Sequence, residues 1–320
     1  MARQLVDDAR SLFDAGRYQQ AMDLLGGAAR SGDADALEML AGLALSGQIV
    51  NRDLPLSRDL YGRAAKAGSL PAAAAYRAFI ANGTGGPADW AAAMALLKEA
   101  GERDISAKRE AEVIGRMELG PDGQSQGPFP CEQLSSSPDV RLFPGLFTAD
   151  ECDFLIERSE ASLQPSLVVD PRTGQQVPNP VRTSDATGFP LIAESPAIHA
   201  LCRRLADASE THVKQGEPLQ VLRYRPGQEY RPHFDAIDNA DNQRVLTFLV
   251  YLNEDFEGGE TEFLSTGLKV RGSKGDGLLF RNADSSGAPD ASSQHAGLPV
   301  TAGEKYLASR WIRERRFVPE

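Results

Sequence analysis

The sequence predicts an α+β multidomain protein, with an N-terminal α-helical repeat solenoid followed by a double-stranded β-helix (jelly roll) with flanking helices. An alanine-rich pattern repeats from near the start to about residue 104, as it does in arrays of paired helices. Beyond residue 139, short apolar segments are separated by glycine- and proline-rich turns, which is typical of sandwiches and jelly rolls. A chain of 320 residues can hold two such domains.

The repeats are visible as small residues, leucine and aspartate that recur at fixed positions. One unit contains Gly32, Ala36, Gly47, Asp53, Leu60, Ala64 and Gly68, and the next contains Gly68, Ala72, Gly83, Asp89, Leu96 and Ala100, with Asp104 in place of a closing glycine. Small residues at fixed places let paired helices approach closely. The pattern resembles Sel1-type repeats, which are related to tetratricopeptide repeats, and the alternative is a plain alanine-rich bundle. Such an array binds a peptide or protein, or supports the neighbouring domain.

We predict a repeat domain over residues 1–118, a linker rich in Gly, Pro and Gln over 119–138, and a β-rich domain over 139–320. In the β-rich domain, Thr148 and Glu151 form a capping box that begins a helix. A second helix is predicted over Ser195–Lys214. Strands are predicted at Val140–Phe143, Arg244–Asn253, Glu260–Phe263 and Gly275–Phe280. The turn-rich stretch Val168–Pro190 is predicted to be a long loop, either a lid or a surface excursion.

Composition narrows the function classes. The net charge of −11 argues against a nucleic-acid groove, and the acidic excess is larger after residue 120, which favours a neutral or basic substrate. No apolar run is long enough to cross a membrane, and the N-terminus lacks the apolar stretch of a signal peptide. Three scattered cysteines favour reduced thiols over disulfides or a zinc site. We therefore expect a cytoplasmic protein.

The most informative stretch is Leu219–Asp235, which is predicted to form a strand, a tight turn and a second strand. Pro226 and Gly227 suit a type II turn, so we expect a β-hairpin. His233 and Asp235 lie two residues apart and share one strand face. They could supply two of the three ligands of a facial triad, the two-histidine, one-carboxylate set that holds non-haem Fe(II). His295, in a later strand-like stretch, is the candidate for the third ligand.

Residues Tyr224–Asp235 (YRPGQEYRPHFD), His295–Val300 (HAGLPV) and Gly303–Tyr306 (GEKY) together resemble the prolyl 4-hydroxylase branch of the Fe(II)/2-oxoglutarate-dependent dioxygenases. The resemblance covers roughly Leu142–Val318. It implies that the domain over 139–320 is such a dioxygenase, with Fe(II), 2-oxoglutarate and O2 as cofactors and ascorbate as a reductant.

The resemblance also assigns site residues. The expected metal ligands are His233, Asp235 and His295, and Lys305 is expected to pair with the distal carboxylate of 2-oxoglutarate. The other candidates for cosubstrate binding are Tyr224, Thr247 and Tyr251, and those for substrate binding are Arg182, Tyr230 and Trp311. Between Thr247 and Tyr251 we favour Tyr251 as the hydroxyl partner of Lys305, because its phenol reaches farther. For Tyr224 and Trp311, ordinary packing is the alternative role. Arg310 and Arg313 are the alternatives to Lys305.

The expected reaction is hydroxylation of an unactivated C–H bond, most simply that of proline in a peptide or protein. A free amino acid or a peptide-derived metabolite is the alternative substrate. A catalytically inert adaptor built on the repeats is the alternative of another class. Partners are expected to be the substrate and a protein bound through the repeats, with no nucleic acid and no membrane.

Overall fold

A computed structural model of the chain describes residues 2–169, 176–178, 180–284 and 287–318. Residues 2–116 are almost entirely helical. Its helices are α1 (Ala2–Asp14), α2 (Tyr18–Arg30), α3 (Ala34–Ser46), α4 (Leu54–Lys66), α5 (Leu70–Asn82), α6 (Trp90–Gly101) and α7 (Ile105–Arg116). Among the described residues, no helix is long and apolar enough to span a lipid bilayer.

The recurring residues mark helix ends. Asp53 and Asp89 are the N-caps of α4 and α6, and the carboxylate of each accepts the backbone N–H three residues on. Gly47 and Gly83 end α3 and α5 in the left-handed conformation, which glycine adopts without strain. The predicted array of helix pairs is thus confirmed, with one pair per 36-residue unit. Asp104, the departure from the pattern, is the N-cap of α7.

Residues 132–313 contain short strands and two α-helices, α8 (Ala149–Glu160) and α9 (Pro196–Ala208). Its strands are β1 (Glu132–Ser136), β2 (Asp139–Phe143), β3 (Gln164–Pro165), β4 (Leu167–Val169), β5 (Gln176–Pro178), β6 (Asp185–Phe189), β7 (Leu219–Tyr224), β8 (Tyr230–His233), β9 (Arg244–Tyr251), β10 (Phe256–Gly258), β11 (Thr261–Phe263), β12 (Leu268–Val270), β13 (Gly277–Arg281), β14 (His295–Gly297), β15 (Val300–Gly303) and β16 (Lys305–Arg313). The capping box of Thr148 and Glu151 begins α8 as predicted. The predicted helix Ser195–Lys214 is shorter: α9 ends at Ala208, and a single 3-10 turn follows.

Two main sheets form the β-domain, as expected for a jelly roll, and β10 with β15 and β4 with β5 form two further two-stranded sheets. The large sheet has the order β1-β2-β13-β9-β16-β7-β6-β3, and the small one β12-β11-β14-β8, with all neighbours antiparallel. Apolar side chains from both sheets, among them Leu222, Tyr251 and Phe263, fill the space between them. The other face of the large sheet packs against α8 and α9. The predicted α+β architecture is confirmed, and the space between the sheets is where the site lies.

The predicted hairpin over Leu219–Asp235 is wrong. Gln228 N–H does donate to the Arg225 carbonyl across a tight turn, and Gly227 has a φ of 84°. However, β7 pairs with β6 and β16 in the large sheet, whereas β8 pairs with β14 in the small one. The turn carries the chain from one sheet to the other. Turn chemistry is local, so it predicts a reversal without telling which strands then pair.

The predicted loop Val168–Pro190 is also partly wrong. Asp185–Phe189 is β6, an inner strand of the large sheet, and β4 pairs with β5. Residues 170–175 and 179 of the predicted loop lie outside the described residues. The predicted linker, 119–138, includes β1, the edge strand of the large sheet.

The repeats pack directly on the β-domain. Helices α5, α6 and α7 contact α9, and Leu191 and Ile192 pack against the apolar core of the repeats. Asn82 Nδ2 donates to the Leu191 carbonyl at 3.2 Å. Glu110 on α7, itself buried, accepts the backbone N–H of Ala197 in the first turn of α9 at 2.9 Å. The two parts therefore share an interface with both apolar and polar contacts.

Candidate active site

Three metal-ligating side chains converge between the sheets. His233 ends β8 and lies directly opposite His295, the first residue of β14, while Asp235 follows two residues after β8. His233 Nε2 is 3.6 Å from Asp235 Oδ1, and His295 Nε2 is 3.6 Å from Asp235 Oδ2. The ligand atoms all lie within 4.8 Å of one another. The structure thus brings together the three residues that the sequence predicts as ligands.

Backbone carbonyls orient both imidazoles. His233 Nδ1 is 2.8 Å from the Arg231 carbonyl oxygen, and His295 Nδ1 is 3.0 Å from the Ser293 carbonyl oxygen. A carbonyl can only accept, so Nδ1 carries the proton in each ring and Nε2 of a neutral ring presents its lone pair. Tyr230 stacks on His233 with ring centroids 3.4 Å apart, which further limits rotation of that ring. Both histidines are held in the form that binds metal.

The protonation states suit a cation. Burial lowers the pKa of His295 to about 4, although the Asp235 carboxylate acts in the opposite direction, so the ring is neutral near pH 7. Burial alone would raise the pKa of Asp235, but its contacts with His233, His295 and Thr247 hold that pKa well below the usual range. Two imidazole nitrogens and an ionised carboxylate that face one point are the donor set of a non-haem Fe(II) centre. The residues present therefore fit Fe(II).

Lys305, the first residue of β16, is a buried cation in the same cavity. Its Nζ donates to the Gly259 carbonyl at 2.6 Å and lies 5.4–5.9 Å from three aromatic ring centroids, those of Tyr224, Tyr251 and Phe256. In the described part of the chain, no carboxylate forms an ion pair with it. Burial lowers the pKa of Lys305 to about 8, with Glu260 opposing the shift. An unpaired ammonium in an aromatic surrounding suits an anionic ligand, because a carboxylate would supply the missing counter-charge.

The two alternatives to Lys305 lie elsewhere. The Arg310 guanidinium donates to the carbonyls of Cys202, Glu217 and Val213, on the opposite face of β16. Arg313 forms an ion pair with Glu217 at 2.6 Å. Neither side chain lines the cavity. Of Lys305, Arg310 and Arg313, Lys305 is the one that lines the cavity.

The hydroxyl groups are distributed differently from the expected pairing. The Tyr251 hydroxyl donates to the Val270 carbonyl at 3.0 Å and lies 3.3 Å from Thr261 Oγ1, so the Tyr251 ring, not its hydroxyl, faces Lys305. Thr247 Oγ1 donates to Asp235 Oδ2 at 2.6 Å. Thr261, which the sequence interpretation did not select, lines the cavity. Its position comes from the pairing of β11 with β14, which local sequence does not specify.

The cavity wall on the large sheet is one face of β7, β9 and β16. Lys305, Leu307, Ser309 and Trp311 alternate along β16 and all line it, so Lys305 and Trp311 share one face of the strand. Tyr224, opposite Lys305 on β7, lines it too. The Trp311 ring is also covered by the Arg244 guanidinium, 3.7 Å from its centroid, so Trp311 both packs and contributes to the wall.

Arg182 and Tyr230 lie on the small-sheet side of the cavity. Arg182 is bridged to Tyr230 through the backbone, and its guanidinium carbon is 5.7 Å from the Tyr230 ring centroid. Both side chains line the cavity near His233. All ten residues that the sequence predicts for the site therefore lie in the cavity wall or in contact with it; Tyr251 and Thr247 reach it through Lys305 and Asp235.

Comparison with known proteins identifies the family. Residues 219–313 match the 2OG-Fe(II) oxygenase superfamily. The chain is 36% identical over 203 residues to prolyl 4-hydroxylase 1 of Arabidopsis thaliana. The aligned region covers 58% of this chain and 72% of that protein. This chain belongs to the 2OG-Fe(II) oxygenase superfamily. It is a 2-oxoglutarate-dependent dioxygenase, and its cofactors are Fe(II), 2-oxoglutarate and O2.

Two solved structures are each similar to part of this chain. One is a viral collagen prolyl hydroxylase from Paramecium Bursaria Chlorella virus-1, with 31% sequence identity and a TM-score of 0.44, covering 54% of this chain and 95% of that one. The other is a Sel1 repeat protein from Oxalobacter formigenes, with 24% identity and a TM-score of 0.31, covering 35% of this chain and 87% of that one.

Proposed function

We propose that this oxygenase hydroxylates proline in a peptide or protein. The observation that carries the proposal is the pairing, in one cavity, of the triad with the unpaired buried ammonium of Lys305. Bound Fe(II) would supply the oxidising chemistry, in which O2 oxidises both reactants: C–H becomes C–OH, and 2-oxoglutarate becomes succinate and carbon dioxide. The choice of proline rests on the relatives, of which prolyl 4-hydroxylase 1 is one.

In this proposal the chain's own residues bind, orient and exclude water. His233, Asp235 and His295 hold the metal, and Lys305 supplies a counter-charge for the distal carboxylate of 2-oxoglutarate. The cavity wall includes the apolar side chains of Leu222, Leu249 and Leu307, and excluding water from this wall would strengthen that ion pair. Thr261 Oγ1, which lines the cavity, is a candidate donor to the same carboxylate, whereas the Tyr251 hydroxyl already donates to the Val270 carbonyl.

The substrate is proposed to enter on the small-sheet side. Arg182 and Tyr230 offer a cation and an aromatic face beside His233. A guanidinium donates to backbone carbonyls of a peptide, and an aromatic face packs on a pyrrolidine ring. Arg182→Ala should therefore raise KM for a proline peptide while leaving KM for 2-oxoglutarate within about twofold.

The test is a succinate-release assay with the full-length protein, run on long proline peptides, short proline peptides and free L-proline. Hydroxylation of peptides but not of free proline supports the proposal. Turnover of a free amino acid at a kcat/KM equal to that of the peptides favours the alternative substrate class. Absence of turnover across all substrates, with Fe(II) bound and 2-oxoglutarate present, favours an inert adaptor.

The repeats are proposed to hold a protein or the distant part of a peptide substrate. Remote contacts add binding energy only to a peptide long enough to reach them, so KM should fall with peptide length on the full-length chain. We also propose the domain limits 1–118, 119–138 and 139–320, ascorbate as a reductant, and a cytoplasmic location. The location agrees with the three free cysteines.

A further inference from the structure

Asn282 is a buried polar residue that neither the sequence motifs nor the proposed chemistry uses. It follows β13 directly and is fully buried. Its Nδ2 donates to Thr247 Oγ1 at 2.8 Å, and Thr247 Oγ1 donates to Asp235 Oδ2 at 2.6 Å. Asn282 is therefore two hydrogen bonds away from the metal-binding carboxylate.

The direction of these hydrogen bonds is determined by chemistry. An amide nitrogen only donates, an ionised carboxylate only accepts, and a threonine hydroxyl has a single proton. Because Thr247 oxygen accepts from Asn282, its proton is left for Asp235. The chain of bonds thus runs one way, from Asn282 through Thr247 to Asp235.

The alternative amide orientation would defeat this arrangement. With Asn282 rotated by half a turn, its Oδ1 would face Thr247 and compete with Asp235 for the one hydroxyl proton. In the observed orientation, Oδ1 has no hydrogen-bond partner among the described residues. A buried acceptor without a partner is costly, and an apolar side chain of the same size would avoid that cost. Asparagine at position 282 thus places the Nδ2 donor on Thr247 at the cost of an unpartnered Oδ1.

We propose that Asn282 is a positioning residue for metal binding: through Thr247 it holds the Asp235 carboxylate in the orientation that faces His233 and His295. The inference rests on the proposed metal site. Thr247 occupies Oδ2, so the carboxylate cannot rotate freely about its Cβ–Cγ bond. Partners of this kind commonly change metal affinity by about 10- to 100-fold.

The test compares Thr247→Val, Asn282→Asp and Asn282→Leu with the wild-type full chain. Thr247→Val keeps the shape and removes the hydroxyl. Asn282→Asp keeps the shape and replaces the donor by an acceptor. Asn282→Leu removes both the donor and the unpartnered oxygen. Thr84→Val, in the repeats, is the matched control for a buried threonine. Two quantities are measured, Fe(II) affinity by anaerobic titration and the melting temperature of the metal-free protein.

We expect Thr247→Val and Asn282→Asp each to bind Fe(II) at least tenfold more weakly. A double variant that combines these two substitutions should lose no more Fe(II) affinity than the weaker-binding single variant. Asn282→Leu should also bind Fe(II) more weakly while its metal-free melting temperature is unchanged or higher, a combination that a merely structural role would not produce. Thr84→Val should bind Fe(II) as the wild type does.

The inference would be overturned if the wild type binds Fe(II) and both Asn282→Leu and Thr247→Val bind it with an affinity within twofold of the wild type. That result would leave the proposed function intact. Wild-type protein that binds no Fe(II) would overturn both.

Discussion

At the scale of single residues, each of the three converging ligands should be needed for metal. His233→Ala, Asp235→Ala and His295→Ala should each reduce Fe(II) content from about one per chain to near zero, because a triad that loses one donor has too few protein ligands left. Metal analysis after anaerobic loading and desalting measures this. His212→Ala is the control, since His212 is exposed and caps a 3-10 turn away from the cavity. Wild-type metal content in all three triad variants would refute the assignment.

Binding of 2-oxoglutarate should depend on pH through Lys305. The pKa of Lys305 is about 8 without ligand, and only the ammonium form attracts a carboxylate. Affinity should therefore be constant below pH 8 and fall about tenfold per pH unit above it, because a proton must then be taken up on binding. Calorimetric titration with an inert metal in place of Fe(II) measures the dependence.

Lys305→Arg provides the control, since a guanidinium stays charged throughout this range. Its affinity should not fall between pH 8 and 10. If the wild-type affinity for 2-oxoglutarate is equally independent of pH, a residue other than Lys305 binds its distal carboxylate.

Site residues differ in how far the sequence predicts them. His233, Asp235 and Lys305 occur in recognisable spacings, so they are found without knowing the fold. Thr261 and Asn282 acquire their positions from the pairing of β11 with β14 and of β13 with β9, which local sequence does not specify. Reach alone favours the Tyr251 hydroxyl as the partner of Lys305, but in the structure this hydroxyl donates to the Val270 carbonyl.

At the scale of elements, the turn between β10 and β11 should control the cosubstrate end of the cavity. A Cβ at Gly259 would lie 3.2 Å from Lys305 Cδ and 3.1 Å from Val300 Cγ2. Gly259→Ala should displace Lys305 and raise KM for 2-oxoglutarate at least fivefold, with Fe(II) affinity nearly unchanged because the triad lies on other strands. Initial-rate kinetics and the metal titration separate the two effects.

Gly267→Ala is a matched control. Gly259 and Gly267 have the same φ of 68°, so both substitutions carry the same backbone strain, yet a Cβ at Gly267 meets nothing within 4 Å. Equal effects from the two variants would attribute the change to strain and not to contact with Lys305.

The elements themselves were largely predictable, and their partners were not. The apolar runs of β9 and β16 and the capping box of α8 predict their own structure, because periodicity and capping are local. The crossing between β7 and β8, and the place of β6 inside the large sheet, depend on contacts between residues far apart in the chain. Sequence patterns within one strand do not specify which strand it pairs with or in which register.

At the scale of the whole molecule, Glu110 should couple the repeats to the oxygenase domain. Its buried carboxylate accepts the Ala197 N–H and offsets the positive charge of the buried Arg77. Glu110→Ala should lower the free energy of unfolding by about 1–3 kcal/mol, the usual cost of leaving a buried donor without a partner. Urea unfolding followed by circular dichroism measures the change.

Glu112→Ala, on the exposed side of the same helix, is the control and should change the free energy of unfolding by less than about 0.5 kcal/mol. If the two variants are equally stable, the polar contact between α7 and α9 does not contribute to holding the two parts together.

The packing of Leu191 and Ile192 on the repeats has a consequence for synthesis on the ribosome. Helices α1 to α6 emerge first, but part of their apolar surface is covered by residues that are translated only after β6. Until then the nascent repeats expose that surface, which is the condition under which chaperones bind and chains aggregate. A pause before residue 191 is translated should therefore lower the yield of native protein more than a pause after α9 is complete.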